Sequence, residues 1–283
     1  MITFYNKLDS ISKEKRSLLC VGLDPDPRWL PDGIKDVFSF NQMIIDVTSE
    51  FVCAYKPNLA FYEVLGESGY RVLKDTIDYI RYKAPNVVII GDAKRGDIGV
   101  STEKYAEAIF EKYEFDAVTV NMYGGFESIE PFLKYSGKGV FIWTKSSNPG
   151  GNDIQNAQIK HNGKYITICE YIASLVNEKT DGQNLGLVIG ATFPKDILQL
   201  RNICPKAPFL IPGVGQQKGD LVSSIRNGLS SIGMRVLISS SRYIIKPSVQ
   251  YNFLSEVHQK SKKLYEDISK VVSETSEEFD IKT

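Results

Sequence analysis

The chain has 283 residues, 42% of them hydrophobic, with 34 basic against 34 acidic side chains, four cysteines and two histidines. That length allows one large domain or two small ones, with enough apolar residues for a sizeable core. A net charge of zero argues against a nucleic-acid coat or a polybasic membrane binder, since both need surplus Lys and Arg.

Met1–Arg16 is mixed and charged, without an apolar signal core. Within it, Phe4–Lys15 reads as an extra, peripheral helix ahead of the first strand. Eight short, nearly continuous apolar runs then follow in order: Leu18–Leu23, Ala54–Lys56, Val87–Asp92, Ala117–Asn121, Gly139–Trp143, Gly186–Gly190, Phe209–Val214 and Val236–Ser239. Such runs suit strands buried on both faces of a parallel sheet. Stretches with helical spacing separate them, including Tyr70–Ile80, Glu103–Tyr113, Lys164–Asn177, Lys195–Asn202 and Gln250–Val272. The charged Ser273–Thr283 tail is expected to fray. Runs such as Asn86–Ile90 are far shorter than the roughly 20 residues that cross a bilayer. Cys20, Cys53, Cys169 and Cys204 form no C-x-x-C pair, so a reducing, cytoplasmic setting without a zinc cage is the simplest reading.

A strand–helix repeat of roughly 30 residues predicts an α/β chain closing into a single (β/α)8 TIM barrel over residues 1–283. A doubly wound open sheet is the competing arrangement. No Rossmann glycine fingerprint follows the first run, and no P-loop occurs.

In such a barrel, chemistry sits where strands end. Those positions hold Asp24 and Asp26, Lys56-Pro57-Asn58, Asp92-Ala93-Lys94-Arg95-Gly96-Asp97, Ser146–Gly150, Pro212–Gly219 and Ser239–Arg242. Taken singly, most have plain readings: Asp24 and Asn148 as turn formers, Lys56 as a snorkelling side chain, Arg242 as a surface charge. Asp92 and Lys94, two apart, share one side of a strand and point into the barrel mouth. Charges there need partners, and Asp97 and Lys56 are the candidates. Pro212–Gly219 with Arg242 suits a phosphate grip. The physical reading therefore reaches a site for a phosphorylated small molecule, with no evident metal cage or organic cofactor.

These residues, in order and each at a strand end, resemble the orotidine 5′-phosphate decarboxylase family. The likeness is strongest to the subgroup with an Asp-Ala-Lys-Arg-Gly-Asp-Ile-Gly signature, here Asp92–Gly99. The resemblance spans roughly Leu19 to Ile245. It implies a cofactor-independent, metal-free homodimer acting on orotidine 5′-monophosphate to form UMP, with no nucleic-acid or membrane partner. The implied charged array is Lys56, Asp92, Lys94 and Asp97, the last crossing from a partner subunit with Ile98 and Ser101 beside it. Asp24, Lys56 and Asn58 are implied at the ribose, Ser147 at the pyrimidine, and Pro212, Gln217 and Arg242 at the substrate and its phosphate. Lys94 is implied as proton donor to C6. Three segments depart from the subgroup pattern: Gln216 and Lys218 on either side of Gln217 in the phosphate loop, Val100-Ser101 where Ser-Thr is more usual, and Ser146 in place of a threonine. The alternatives are a magnesium-dependent sugar-phosphate decarboxylase or hexulose-phosphate synthase barrel, and a non-catalytic nucleotide-binding barrel.

Overall fold

All eight runs are strands in the computed structural model, which describes residues 3–179, 184–214, 219–230, 233–248 and 252–279. In chain order the strands are β1 (Leu19–Leu23), β2 (Ala54–Pro57), β3 (Val88–Arg95), β4 (Ala117–Val120) and β5 (Gly139–Lys145). They continue with β6 (Gln158–His161), β7 (Lys164–Thr167), β8 (Leu185–Ile189), β9 (Phe209–Pro212) and β10 (Val236–Ser240). β1–β5 and β8–β10 form a closed parallel barrel in sequential order, with β1 pairing to β2 on one side and β10 on the other. β6 and β7 form a separate antiparallel hairpin.

The helices are α1 (Phe4–Lys15), α2 (Val37–Thr48), α3 (Leu59–Glu63), α4 (Glu67–Lys83), α5 (Gly99–Glu107) and α6 (Glu130–Leu133). After them come α7 (Asn152–Gln155), α8 (Ile168–Lys179), α9 (Pro194–Ile203), α10 (Leu221–Gly228), α11 (Arg242–Ile245) and α12 (Phe253–Phe279). Among the described residues no helix is long and apolar enough to cross a membrane.

Each barrel strand is apolar on both faces because it separates two cores. Leu19, Val21, Tyr55, Ile89, Val118, Val140 and Ile142 join the outer layer packed against the helices. Their alternates Cys20, Ala54, Val88, Ile90, Ala117, Phe141, Leu210 and Leu237 fill the barrel interior. The period of two therefore assigns the strand positions to a side, except at the irregularities of β3 (Gly91/Arg95) and β5 (Trp143/Lys145).

The interior is closed from below by α1, so the expectation of a peripheral helix is corrected. Phe4, Tyr5, Leu8 and Ile11 are buried within the interior cluster. The Phe4 ring meets Phe141 edge-on at 5.8 Å, and a Cβ on Gly139 would lie 2.5 Å from that ring. Burying each such side chain contributes about 1.5–3 kcal/mol.

Two further expectations change. The tail is helical through Phe279 because Thr275 is buried and α12 packs against α2 and α10. The helical reading of Lys164–Asn177 fails in its first four residues, which form β7. Asn162 and Gly163 turn the hairpin with φ of 49° and 78°, and Asn-Gly is the pair that tolerates two left-handed residues.

Candidate active site

One step above the apolar interior layer, the same inward parity reaches Lys56, Asp92, Thr119, Pro212 and Ser239, and the barrel turns polar. Charges placed there must be paired, because desolvation alone would be prohibitive. Asp92 collects three donors. Lys56 Nζ donates to its Oδ2 at 2.8 Å, Lys94 Nζ to its Oδ1 at 2.6 Å, and Thr119 Oγ1 to the same Oδ1 at 2.9 Å. Burial pushes the Asp92 carboxyl up, but the attraction of Lys56 and Lys94 outweighs it and holds the group well below the usual carboxylate range. Burial likewise opposes the Lys56 ammonium, yet Asp92 and Asp24 together raise it above the ordinary lysine value. The Lys56 and Asp92 side chains are only 7% and 11% exposed, whereas Lys94 is 38% exposed and open to an incoming molecule.

Asp92 and Lys94 do converge, though not through a regular strand. Gly91 pairs with Val118 and Arg95 with Val120, so four steps on β3 oppose two on β4. The bulge holds Lys94 at φ 48°, a left-handed conformation for a residue with a side chain, which costs on the order of 1–3 kcal/mol. Thr119 stabilises it by accepting the Lys94 N–H at 3.1 Å. Thr119 is thus a member of the charged array's hydrogen-bond network that the motif reading misses. Its inward parity on β4, level with Asp92, is the signal that could have found it.

Around this array the structure forms a cavity of about 160 Å³ lined by Asp24, Lys56, Asp92, Ser147, Pro212, Ser239, Ser241 and Arg242, among others. Asp24 Oδ2 accepts from Ser241 Oγ at 2.6 Å, while its buried Oδ1 has no hydrogen-bond partner among the described residues. A buried acceptor left so is costly, about 1–3 kcal/mol, unless a ligand donor meets it. Gly22 permits the Asp24–Ser241 approach, since a Cβ there would lie 2.6 Å from Ser241 Cβ. Asn58 caps α3 through Ala60 N–H and bridges Asp92 through the backbone. Arg242 begins α11 and makes no ion pair among the described residues.

Lys94 and Asn58 are not in the lining of this cavity, and neither are the remaining expected residues. Asp97 accepts its neighbour's Ile98 N–H at 2.8 Å, and Asp97, Ile98 and Ser101 lie on an exposed strip spanning 96–101. Gln217 lies outside the described residues. Arg95 turns away, pairing with Glu63 and covering the Tyr105 ring at 5.2 Å. A larger cavity of about 630 Å³ opens beside Trp143, Phe126 and Tyr171. Its lining includes no Asp, Glu, Lys, Arg or His, so the smaller, charged cavity is the one equipped for chemistry. Among the described residues, no three His, Cys, Asp or Glu side chains cluster as a metal site requires.

Comparison with known proteins agrees with this geometry. The profile of the family described as "Orotidine 5'-phosphate decarboxylase / HUMPS family" matches residues 17–248. An orotidine 5′-phosphate decarboxylase of Dehalococcoides mccartyi is 43% identical over 242 residues, covering 86% of this chain and 88% of that protein. A Toxoplasma gondii crystal structure shares the fold with a TM-score of 0.88 at 32% identity, covering 98% of this chain and 99% of that one. The structure of Leishmania donovani OMP decarboxylase gives a TM-score of 0.82, also at 32% identity, covering 95% and 98%.

Proposed function

The chain belongs to the orotidine 5′-phosphate decarboxylase / HUMPS family and is a carboxy-lyase of orotidine 5′-phosphate; from that premise we propose that Lys94 is the proton donor to C6 and Asp92 the group that faces the departing carboxylate. The observation that carries the reading is the buried Asp92 carboxylate gripped by two lysines, Lys56 buried beside it and Lys94 38% exposed to solvent.

Loss of CO2 leaves an electron pair at C6 with no adjacent π system to accept it. Stabilisation must then come from charge already fixed in place. The Lys94 ammonium is held by Asp92 Oδ1 at one end and by its Thr119-anchored backbone at the other. In that position it stabilises the developing negative charge and then transfers a proton to C6. Two unit negative charges about 4 Å apart repel by roughly 4 kcal/mol at an effective dielectric of about 20. Departure of neutral CO2 removes that repulsion between Asp92 and the substrate carboxylate.

Asp24, with its unpartnered buried Oδ1, and Asn58 serve the ribose hydroxyls. Ser147 reads the pyrimidine, and Arg242 with Gln217 takes the phosphate beside Pro212. Phosphate binding far from C6 contributes to the rate by helping to organise the closed site. The exposed strip 96–101, with Ile98 62% and Val100 68% exposed, supports a homodimer in which Asp97 and Ser101 complete the partner's site. The four free, buried cysteines support a cytoplasmic setting.

The test follows the loss of orotidine monophosphate by absorbance, with and without EDTA. Wild type converts it to UMP at a rate EDTA does not change, and Lys94→Ala loses nearly all turnover while melting as a folded protein. Substantial UMP formation by Lys94→Ala would remove Lys94 from the donor role. EDTA-sensitive turnover of a sugar phosphate instead of the nucleotide would move the chain to the hexulose-phosphate side of its family.

A further inference from the structure

The proposed chemistry makes no use of the most deeply buried lysine in the barrel. Lys145 closes β5 and is fully buried. A register shift against β8 between Trp143 and Lys145 turns its side chain toward α7 and the start of α9. There the ammonium donates to Asn152 Oδ1 at 2.6 Å and to Asn156 Oδ1 at 2.5 Å. It stands 4.6 Å from the Phe193 ring centroid and 4.0 Å from Asp196 Oδ1. A buried cation neutralised mainly by amide dipoles is a costly choice where an apolar chain of similar length would pack.

Its partners lead to the cavity. Asn152 and Asn156 bracket α7, and Gln155 between them accepts from Ser146 N–H at 3.0 Å and Ser146 Oγ at 3.3 Å. Ser146 precedes Ser147, which lines the cavity. From the opposite side, Thr192 Oγ1 donates to the Ser147 carbonyl at 3.2 Å, and Gly190 N–H donates to Lys145 O at 2.8 Å. Two glycines make room for this closure. A Cβ on Gly151 would lie 2.3 Å from Ser146 Oγ, and one on Gly190 would lie 2.7 Å from Ser147 Cα. The Lys145 ammonium thus binds both ends of the α7 segment whose Gln155 holds Ser146, the residue next to Ser147.

We propose that Lys145 is a positioning residue for base recognition, its ammonium holding the loop over 146–157 so that Ser147 presents its hydroxyl to the pyrimidine. This rests on the assignment of Ser147 to the pyrimidine made above.

The experiment compares calorimetric binding of UMP with that of ribose 5-phosphate, which lacks the base, for wild type, Lys145→Met, Gln155→Ala and Ser147→Ala. Lys145→Met and Gln155→Ala each weaken UMP binding about tenfold, the size of a typical coupling between contacting groups, and leave ribose 5-phosphate unchanged. Combining Lys145→Met with Ser147→Ala adds no further loss. A merely structural role would weaken both ligands alike, and that result, or unchanged UMP binding, overturns the proposal. Should Lys145→Met fail to fold, Gln155→Ala decides, because it disturbs no buried charge. If Ser147→Ala itself leaves the preference for UMP intact, the pyrimidine assignment fails, and the proposal falls through its premise rather than through Lys145.

Discussion

Replacing Lys56 by Met probes the charged array without touching the proposed donor. Lys56 and Asp92 are both nearly closed to solvent and 2.8 Å apart, so screening by water is weak. Removing one partner of such a pair costs about 3–5 kcal/mol, and the lower end applies here because Lys94 and Thr119 still hold Asp92 Oδ1. At about 2–4 °C per kcal/mol for a large domain, a loss of about 3 kcal/mol lowers Tm by about 6–12 °C. The pH dependence follows from the two shifts. The depressed Asp92 carboxyl contributes stability that is complete above its unfolded value of about 4 and is lost as pH falls toward the folded one. The raised Lys56 ammonium contributes stability that is complete below its unfolded value of about 10.4 and is lost as pH rises through the folded one. The difference between wild type and Lys56→Met is therefore flat from about pH 5 to 9 and shrinks on either side. Urea denaturation followed by tryptophan fluorescence at stepped pH measures it. A variant within about 0.5 kcal/mol of wild type at pH 7, or a difference that widens below pH 4, would refute the buried-pair reasoning.

Thr119→Val removes the donor to Asp92 and the acceptor of the Lys94 N–H, each worth about 1–3 kcal/mol when left unmet. We predict that kcat falls about 10–100-fold with KM nearly unchanged, while Thr119→Ser recovers most of the loss; equal failure of both variants would contradict a hydrogen-bonding role. Arg242→Ala should raise KM far more than it lowers kcat at saturation, and an untouched KM would contradict its assignment to the phosphate. Phe4→Ala leaves a cavity at the barrel floor and should cost about 3–5 kcal/mol in urea denaturation, with kcat retained in the folded fraction. A cost below 1 kcal/mol would mean that α1 is not the plug.

Much of the fold is legible in the chain because a strand buried on both faces has no polar face to show. Eight short apolar runs separated by helical spacing leave few arrangements besides a barrel. Period two then sorts Ala54, Ile90 and Ala117 from Tyr55, Ile89 and Val118, and continues upward to Lys56, Asp92 and Thr119. Local signals are legible too where they are short-ranged: Asn162-Gly163 marks the hairpin that overrides a helical reading of Lys164–Thr167. The helix of Phe4–Lys15 is equally legible as a helix. Its role is not, because an amphipathic helix does not state which surface it will cover.

The sequence by itself determined the layered barrel, the strand-end positions of Asp24, Lys56, Asp92, Ser147, Pro212 and Arg242, and the charge alternation hidden in a 34-to-34 balance. Tertiary structure alone decided that Lys94 reaches Asp92 through a left-handed bulge, that Thr119 anchors both, and that Arg95 turns away to Glu63 while its neighbours face the site. It also decided that Phe4 seals the floor and that the Lys145 ammonium is bound by Asn152 and Asn156 at the two ends of α7. The division has one cause. Periodicity and turn chemistry act over a few residues and are written in order along the chain. A hydrogen bond from β4 to β3, or from a helix to the far side of a barrel, depends on which distant segments the closed sheet brings within about 3 Å.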